Sequence, residues 1–207
     1  MIDLPDWLQD LHVRLDDETT GEHLARIVRR LDGVSLTHDR ERLEGLFLAN
    51  EEPQRAALVA SMKTNCGTSM RAIMALAGVL PEDHFITDPY AVGMAIAWVL
   101  EAASERGALI PGNVGQRSYI PCARWTELGP GWAMHYGTPG SNDDHVEWCL
   151  EVPNEHGYAE HGGGGRAANA ITVEPASDIR WSWGRPLQHI IDPVRMICGE
   201  ATGDNPY

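Results

Sequence analysis

The chain has 207 residues, 43% of them hydrophobic and seven of them tryptophan, with a formal charge of −14. That length and apolar content exclude a disordered chain and fit one domain with a full core, or one domain with a small appendage. The negative balance argues against nucleic acid as a partner, because phosphate binding needs clustered Lys and Arg.

No apolar run approaches the ~18 residues of a membrane span. The opening Met1-Ile2-Asp3-Leu4-Pro5-Asp6 lacks the basic and apolar regions of a signal peptide. Synthesis in the cytoplasm is therefore expected, with lysis or a specialised secretion system as the routes out. The cysteines at 66, 122, 149 and 198 include no C-x-x-C pair, which fits reduced thiols. A disulfide among the last three stays open.

Residues 1–60 read as a helical extension. Leu8, Leu11 and Leu15 mark a short first helix. Thr19-x-x-Glu22 is a capping box before Leu24, Ile27, Val28 and Leu31, with a stop at Gly33. Further helices are expected around Leu43, Leu46 and Phe47, and from Pro53 to Met62. His12, His23 and His38 are expected to face solvent.

Residues 61–198 read as the main domain. It opens on Lys63-Thr64-Asn65-Cys66-Gly67-Thr68-Ser69-Met70, which leads into Met70, Ile73, Met74 and Ala77 at helical spacing, closed by Gly78. With Asn65 as N-cap, Cys66 is the first helical residue. There the unpaired backbone N–H groups and the helix dipole favour thiolate, which prepares a nucleophile. A free Cys is more often a small buried hydrophobe; His145, opening an alternating strand later in the chain, tips the balance toward a nucleophile with a base. A core helix from Pro89 to about Arg106 follows.

From about residue 108 short alternating runs replace helical spacing. Strands are predicted at Trp132–Tyr136, His145–Glu151, Gly157–His161, Ala170–Val173 and Ile179–Trp183. Turns lie at Gly129-Pro130-Gly131, Thr138-Pro139-Gly140 and Pro153-Asn154-Glu155-His156-Gly157. Helices first and strands after predict an α+β domain with an antiparallel sheet. Residues 199–207 read as a polar tail.

In the strand from His145, residues His145, Glu147 and Cys149 share one face, and Val146, Trp148 and Leu150 share the other. Gly157–His161 is expected to pair with it as a hairpin, bringing Glu160 or His161 near His145. A thiol, an imidazole and a polar group that orients the imidazole make a nucleophilic triad.

These pieces together resemble the papain-like peptidoglycan hydrolases of the NlpC/P60 and CHAP group. The matching segments are Asn65-Cys66-Gly67-Thr68, Gly129-Pro130-Gly131, Gly137-Thr138-Pro139-Gly140, Asp144-His145-Val146 and Glu160-His161-Gly162-Gly163. They span roughly residues 60–185. The sequence departs from the family in having Trp132 after the Pro-Gly turn and Asn65-Cys66-Gly67-Thr68 where many members have Asp-Cys-Ser-Gly. The resemblance implies a papain-like fold, Cys66 as nucleophile, His145 as base and Glu160 as the orienting residue, with His161 as the alternative. It implies hydrolysis of peptide or amide bonds in peptidoglycan, without metal or cofactor. A phage lysin or an exported antibacterial effector would suit the charge and the lack of a signal peptide, and an effector is expected to have a cognate inhibitor protein.

Other features have plainer readings. Asp143 and Asp144 either favour an imidazolium at His145 or form a solvated loop. Gly162–Gly165 lacks the strand–loop–helix context and Lys of a phosphate loop and is expected as a mobile rim. His145, Cys149, His156 and His161 do not have zinc spacing. Of Trp125, Trp132, Trp148, Trp181 and Trp183, most are expected in the core and one or two along a cleft, Trp181 and Trp183 sharing a strand face. His84, His135 and His189 are read as structural. The rival functions are a thiol acyltransferase or transglutaminase-like enzyme using the same Cys66–His145 pair, and a binding module in which Cys66 is merely buried.

Overall fold

The structure is a computed structural model that describes residues 10–34, 66–79, 92–111, 118–141, 144–165 and 170–197. The described residues form a mixed α+β fold with helices preceding a multi-stranded antiparallel sheet. The helices are α1 (Thr20–Arg30), α2 (Cys66–Leu76) and α3 (Val92–Glu105). They are followed by β1 (Leu109–Pro111), β2 (Ala133–Tyr136), β3 (His145–Cys149), β4 (Tyr158–Gly165), β5 (Ala170–Asp178), β6 (Trp181–Ser182), β7 (Arg185–Ile191) and a short α4 (Pro193–Ile197). The sheet runs β1-β7-β2-β3-β4-β5, with β6 paired to β7. No helix among the described residues is long and apolar enough to cross a membrane.

The capping box forms as its residues predict. The Thr19 hydroxyl accepts from the Glu22 N–H at 3.2 Å, and the Glu22 carboxylate accepts from the Thr19 N–H at 2.8 Å. Leu24, Ile27 and Val28 of α1 are buried, and the helix joins α2 and α3 in one apolar layer on the sheet. From α2 this layer takes Met70, Ile73, Met74 and Leu76; from the sheet it takes Ala133, Val146, Trp148, Ile171 and Ile191. The opposite face is also covered. Met134, Tyr136, Cys149, Ala159, Ile179, Leu187 and Ile190 pack there with Ile110, Cys122 and Leu128.

Several expectations need correction. His23 is not solvent-facing: it is buried under the N-terminal segment, with Nε2 2.6 Å from the Leu11 carbonyl oxygen. Gly162–Gly165 is not a rim loop but the second half of β4, paired residue by residue with Val173–Ala170 of β5. Ile179–Trp183 is not a strand throughout. Only Trp181 and Ser182 pair, opposite Pro186 and Arg185, and Trp183 with Gly184 makes the tight turn between them. Trp183 and Gly184 both have positive φ, 53° and 78°, the backbone of a type I′ hairpin turn. Cys66, Cys122 and Cys149 are free thiols.

The Asn65 cap, the expected helices at Leu43–Phe47 and Pro53–Met62, the start of the Pro89 helix, Asp143, Cys198, His38, His84 and the tail 199–207 lie outside the described residues.

Two glycine contacts fix how the layers meet. Gly21 of α1 and Gly131 of the Pro-Gly turn lie backbone against backbone, so a side chain on either would strike the other segment. In β4, a Cβ on Gly162 would stand 2.6 Å from the Thr172 carbonyl oxygen and 3.3 Å from Val28 Cγ1. The first of these neighbours is backbone and cannot swing aside. Gly162→Ala is expected to cost about 1–3 kcal/mol, the usual range for an overpacked interior. The loss will be read as a lower urea midpoint at unchanged slope.

Candidate functional site

Cys66 opens α2, where the unpaired N–H groups of a helix start and its dipole act on the thiol. Its side chain meets the start of β3. The β3–β4 ladder pairs only Trp148 with Gly162 and Cys149 with His161, leaving the first residues of β3 without β4 partners. The Cys66 sulfur accepts hydrogen bonds from the His145 ring and from the backbone N–H groups of Val146 and Gly67.

His145 is the first residue of β3. Its Nε2 lies 2.6 Å from Oε1 of Glu147, two residues on along the same strand. With Nε2 donating to that carboxylate, the other ring nitrogen, Nδ1, is the one directed to the thiol. The Tyr136 ring packs alongside the imidazole with centroids 6.3 Å apart. The Ser182 hydroxyl donates to Glu147 Oε1 at 3.0 Å, so β6 also fixes the acid. Nδ1 of His161 lies 2.8 Å from Glu147 Oε2, although neither atom completes a hydrogen bond. The two atoms are in close contact, but the ring is not aligned to donate. His161 Nε2 shares a hydrogen bond with the Ser177 hydroxyl at 2.8 Å.

Each group is electrically matched to its neighbours. Burial opposes ionisation of the Cys66 thiol, but the hydrogen bond and charge of His145 and the two backbone N–H groups outweigh it and hold the thiol below its ordinary value. Burial likewise opposes the His145 cation, yet its bonds to Cys66 and Glu147 and their charges raise it to about 9. Burial resists the Glu147 carboxylate too, and the imidazoles of His145 and His161 still keep it well below the usual carboxylate range. The other described thiols go the opposite way. Burial raises Cys122, and it pushes Cys149 up to about 12. Among the described thiols only Cys66 is shifted toward ionisation.

A depressed carboxylate has a signed effect on stability. The contribution of Glu147 is fully present above the unfolded carboxylate value of ~4.3 and is lost as pH falls through the lower folded value. The acid limb of a stability–pH curve should therefore be shallower in Glu147→Gln than in the parent protein. An unchanged limb would show that other carboxylates set it.

The structure thus brings Cys66 and His145 together and separates Glu160 from them. Glu160 lies on the face of β4 that packs on α1. Arg29 Nε donates to its carboxylate at 2.7 Å. The residue that reaches the far side of His145 is Glu147, with His161 behind it. The reason is parity: Cys149 pairs with His161, so Leu150 and Glu160 share the opposite face. The alternation of β3 already put Glu147 on the face of His145; the Ser182 contact had no signal in the sequence. Asp144 turns to a different partner, lying 3.3 Å from Nε2 of the buried His135. His135 and His189 are themselves joined, Nδ1 to Nδ1, at 2.8 Å.

Beside His145 and Glu147 lies a cleft of about 370 Å³, also lined by His161, the Gly162–Gly165 strip and the two exposed tryptophans Trp181 and Trp183. Trp148 is buried in the helix-side core, and Trp125 and Trp132 pack against the second core. Among the described residues no group of three or more His, Cys, Asp or Glu side chains is arranged to hold a metal ion.

Compared with known proteins, the chain matches no family model, no curated protein and no solved structure.

Proposed function

We propose that the protein is a papain-like cysteine hydrolase that cleaves peptide or amide bonds of peptidoglycan. One observation carries the reading. Cys66, His145 and Glu147 form a continuous line in which the helix-start thiol is depressed, the imidazole is raised and a buried carboxylate holds the far ring nitrogen. The choice of peptidoglycan is supported only by the resemblance of the Cys66 and His145 segments to the NlpC/P60 and CHAP group.

In this reading the Cys66 thiolate attacks the carbonyl carbon. The developing oxyanion is met by backbone N–H groups at the start of α2, a position where such donors act at full strength. His145 Nδ1 then gives its proton to the leaving amine, the C–N bond breaks and a thioester remains on Cys66. Water attacks the thioester as His145 takes its proton, releasing the acid and the thiolate. Glu147 keeps the imidazole in the tautomer that directs Nδ1 to sulfur, and it stabilises the cation. The same thioester passed to an amine would make the protein an acyltransferase.

The test is a digest of purified peptidoglycan with the parent protein and with Cys66→Ala, analysed by mass spectrometry with and without an added primary amine. New amine and carboxyl ends formed only by the parent support the hydrolase. Amide adducts in place of free acid would support acyl transfer. No change in any muropeptide would remove peptidoglycan as the substrate.

A further inference from the structure

The outer wall of the cleft is unusual for a surface turn. Trp181 is 44% exposed and Trp183 is 81% exposed, yet both line the cleft. Trp183 is also the one non-glycine among the described residues with positive φ. Such a backbone suits Gly or Asn and disfavours a bulky side chain. Residues held this way cluster at ligand clamps, where the fold over-determines them. The fold does so here. Ser182, between the two tryptophans, is buried and bonded to Glu147, which ties the hairpin to the triad.

The charges of the cleft narrow what it can take. Among the described residues no Lys or Arg lines it, and its two imidazoles are already engaged, His145 by Glu147 and His161 by Ser177. Its carboxylates among the described residues are Glu147 and Glu174. Glu147 already faces two imidazoles, and an ammonium drawn to Glu174 would lie in the same cleft as His145 and His161. The exposed tryptophans and the hydroxyl-bearing wall match an uncharged ring with one apolar face and a rim of hydroxyls. The tryptophans supply the platform for the face, and Thr172, Ser177 and the Glu174 carboxylate supply partners for the hydroxyls.

We propose that the Trp181–Trp183 hairpin and the facing wall of Thr172, Glu174 and Ser177 form a binding site for an uncharged saccharide ring. The inference rests on the proposed function in one respect: the ring would be the glycan part of a substrate whose amide bond reaches Cys66.

The experiment measures binding without turnover, so its failure is distinct from a failure of the hydrolase reading. Cys66→Ala protein is titrated with the tetramer of N-acetylglucosamine, followed by tryptophan fluorescence and calorimetry. Saturable binding is expected, weakened by about tenfold or more in both Trp181→Ala and Trp183→Ala, and kept within about threefold in Trp183→Tyr. Thermal melting of each variant checks that it is folded. Absence of saturable binding, or binding that neither alanine variant weakens, overturns the proposal. So does displacement of the sugar by an equal concentration of free lysine, since the site would then be selecting ammonium. Sugar binding in a protein that leaves peptidoglycan intact would keep the site and remove the hydrolase.

Discussion

The rate–pH curve for alkylation of Cys66 by iodoacetamide is expected to have its midpoint below that of a free thiol, and His145→Ala is expected to abolish that shift. The parent thiol is held below its ordinary value by the imidazole on one side and two backbone N–H groups on the other. Removing the ring takes away both a hydrogen bond and a positive charge but leaves the burial that raises the thiol. The midpoint of the rate–pH curve should then move to or above the free-thiol value of ~8.5. At pH 6 the variant should react more slowly than the parent, since a thiol at the free value is almost wholly protonated there. Peptide mapping by mass spectrometry should find the label on Cys66, with Cys122 and Cys149 unlabelled because burial raises both thiols. A slow reaction unaffected by His145→Ala would mean that Cys66 is a packing residue.

The second large effect separates two glutamates. Glu147→Gln is expected to lower kcat/KM by roughly 10²–10⁴, the range seen when the acid of a triad is neutralised and the imidazole loses its tautomer and its partner. Glu160→Gln is expected to leave kcat/KM within about threefold. Glu160 binds Arg29 across to α1, and that pair is half exposed, at 44% and 30% for the two side chains. Water screens such pairs, so the variant should lose less than about 1 kcal/mol of stability. Measuring both variants by initial rates and by urea unfolding checks the assignment. Equal losses of activity, or a larger loss at Glu160, would overturn the role given to Glu147. Because Glu147 is only 7% exposed, Glu147→Asp is a useful companion. It keeps the charge but shortens the reach to His145 Nε2, and should fall between the parent and Glu147→Gln.

Much of the arrangement was legible in the residues. The Cys66 helix and its apolar face, the capping box at Thr19 and Glu22, and the strand opening at His145 followed from spacing and local chemistry. So did the order of helices before strands. What stayed hidden depended on register. The turn between β3 and β4 places Cys149 opposite His161; a shift of one residue would have put Glu160 on the face of His145 instead. The turn residues Pro153–Gly157 do not fix that parity by composition.

β7 was missed for another reason. It pairs with both β1 and β2 and is covered on both faces, with Leu187, Gln188, Ile190 and Ile191 all buried. A strand buried on both sides has no alternation to read. The glycine run 162–165 misled in the opposite direction. Glycine usually marks a loop, but at Gly162 it allows β5 and α1 to approach the β4 backbone closely.

Glu147 and His145, the acid and base of the proposed site, are separated by a single residue on one strand. Their spacing is therefore a property of the extended chain, about 6.5 Å for two residues, rather than of any long-range packing. The two behave as a cartridge that β3 carries ready-made. What the rest of the fold must supply is the docking of α2, which brings the sulfur to the end of that cartridge. Slight withdrawal of that one helix would part the thiol from the imidazole while His145 and Glu147 remain joined, so the proposed activity is expected to be lost before the sheet.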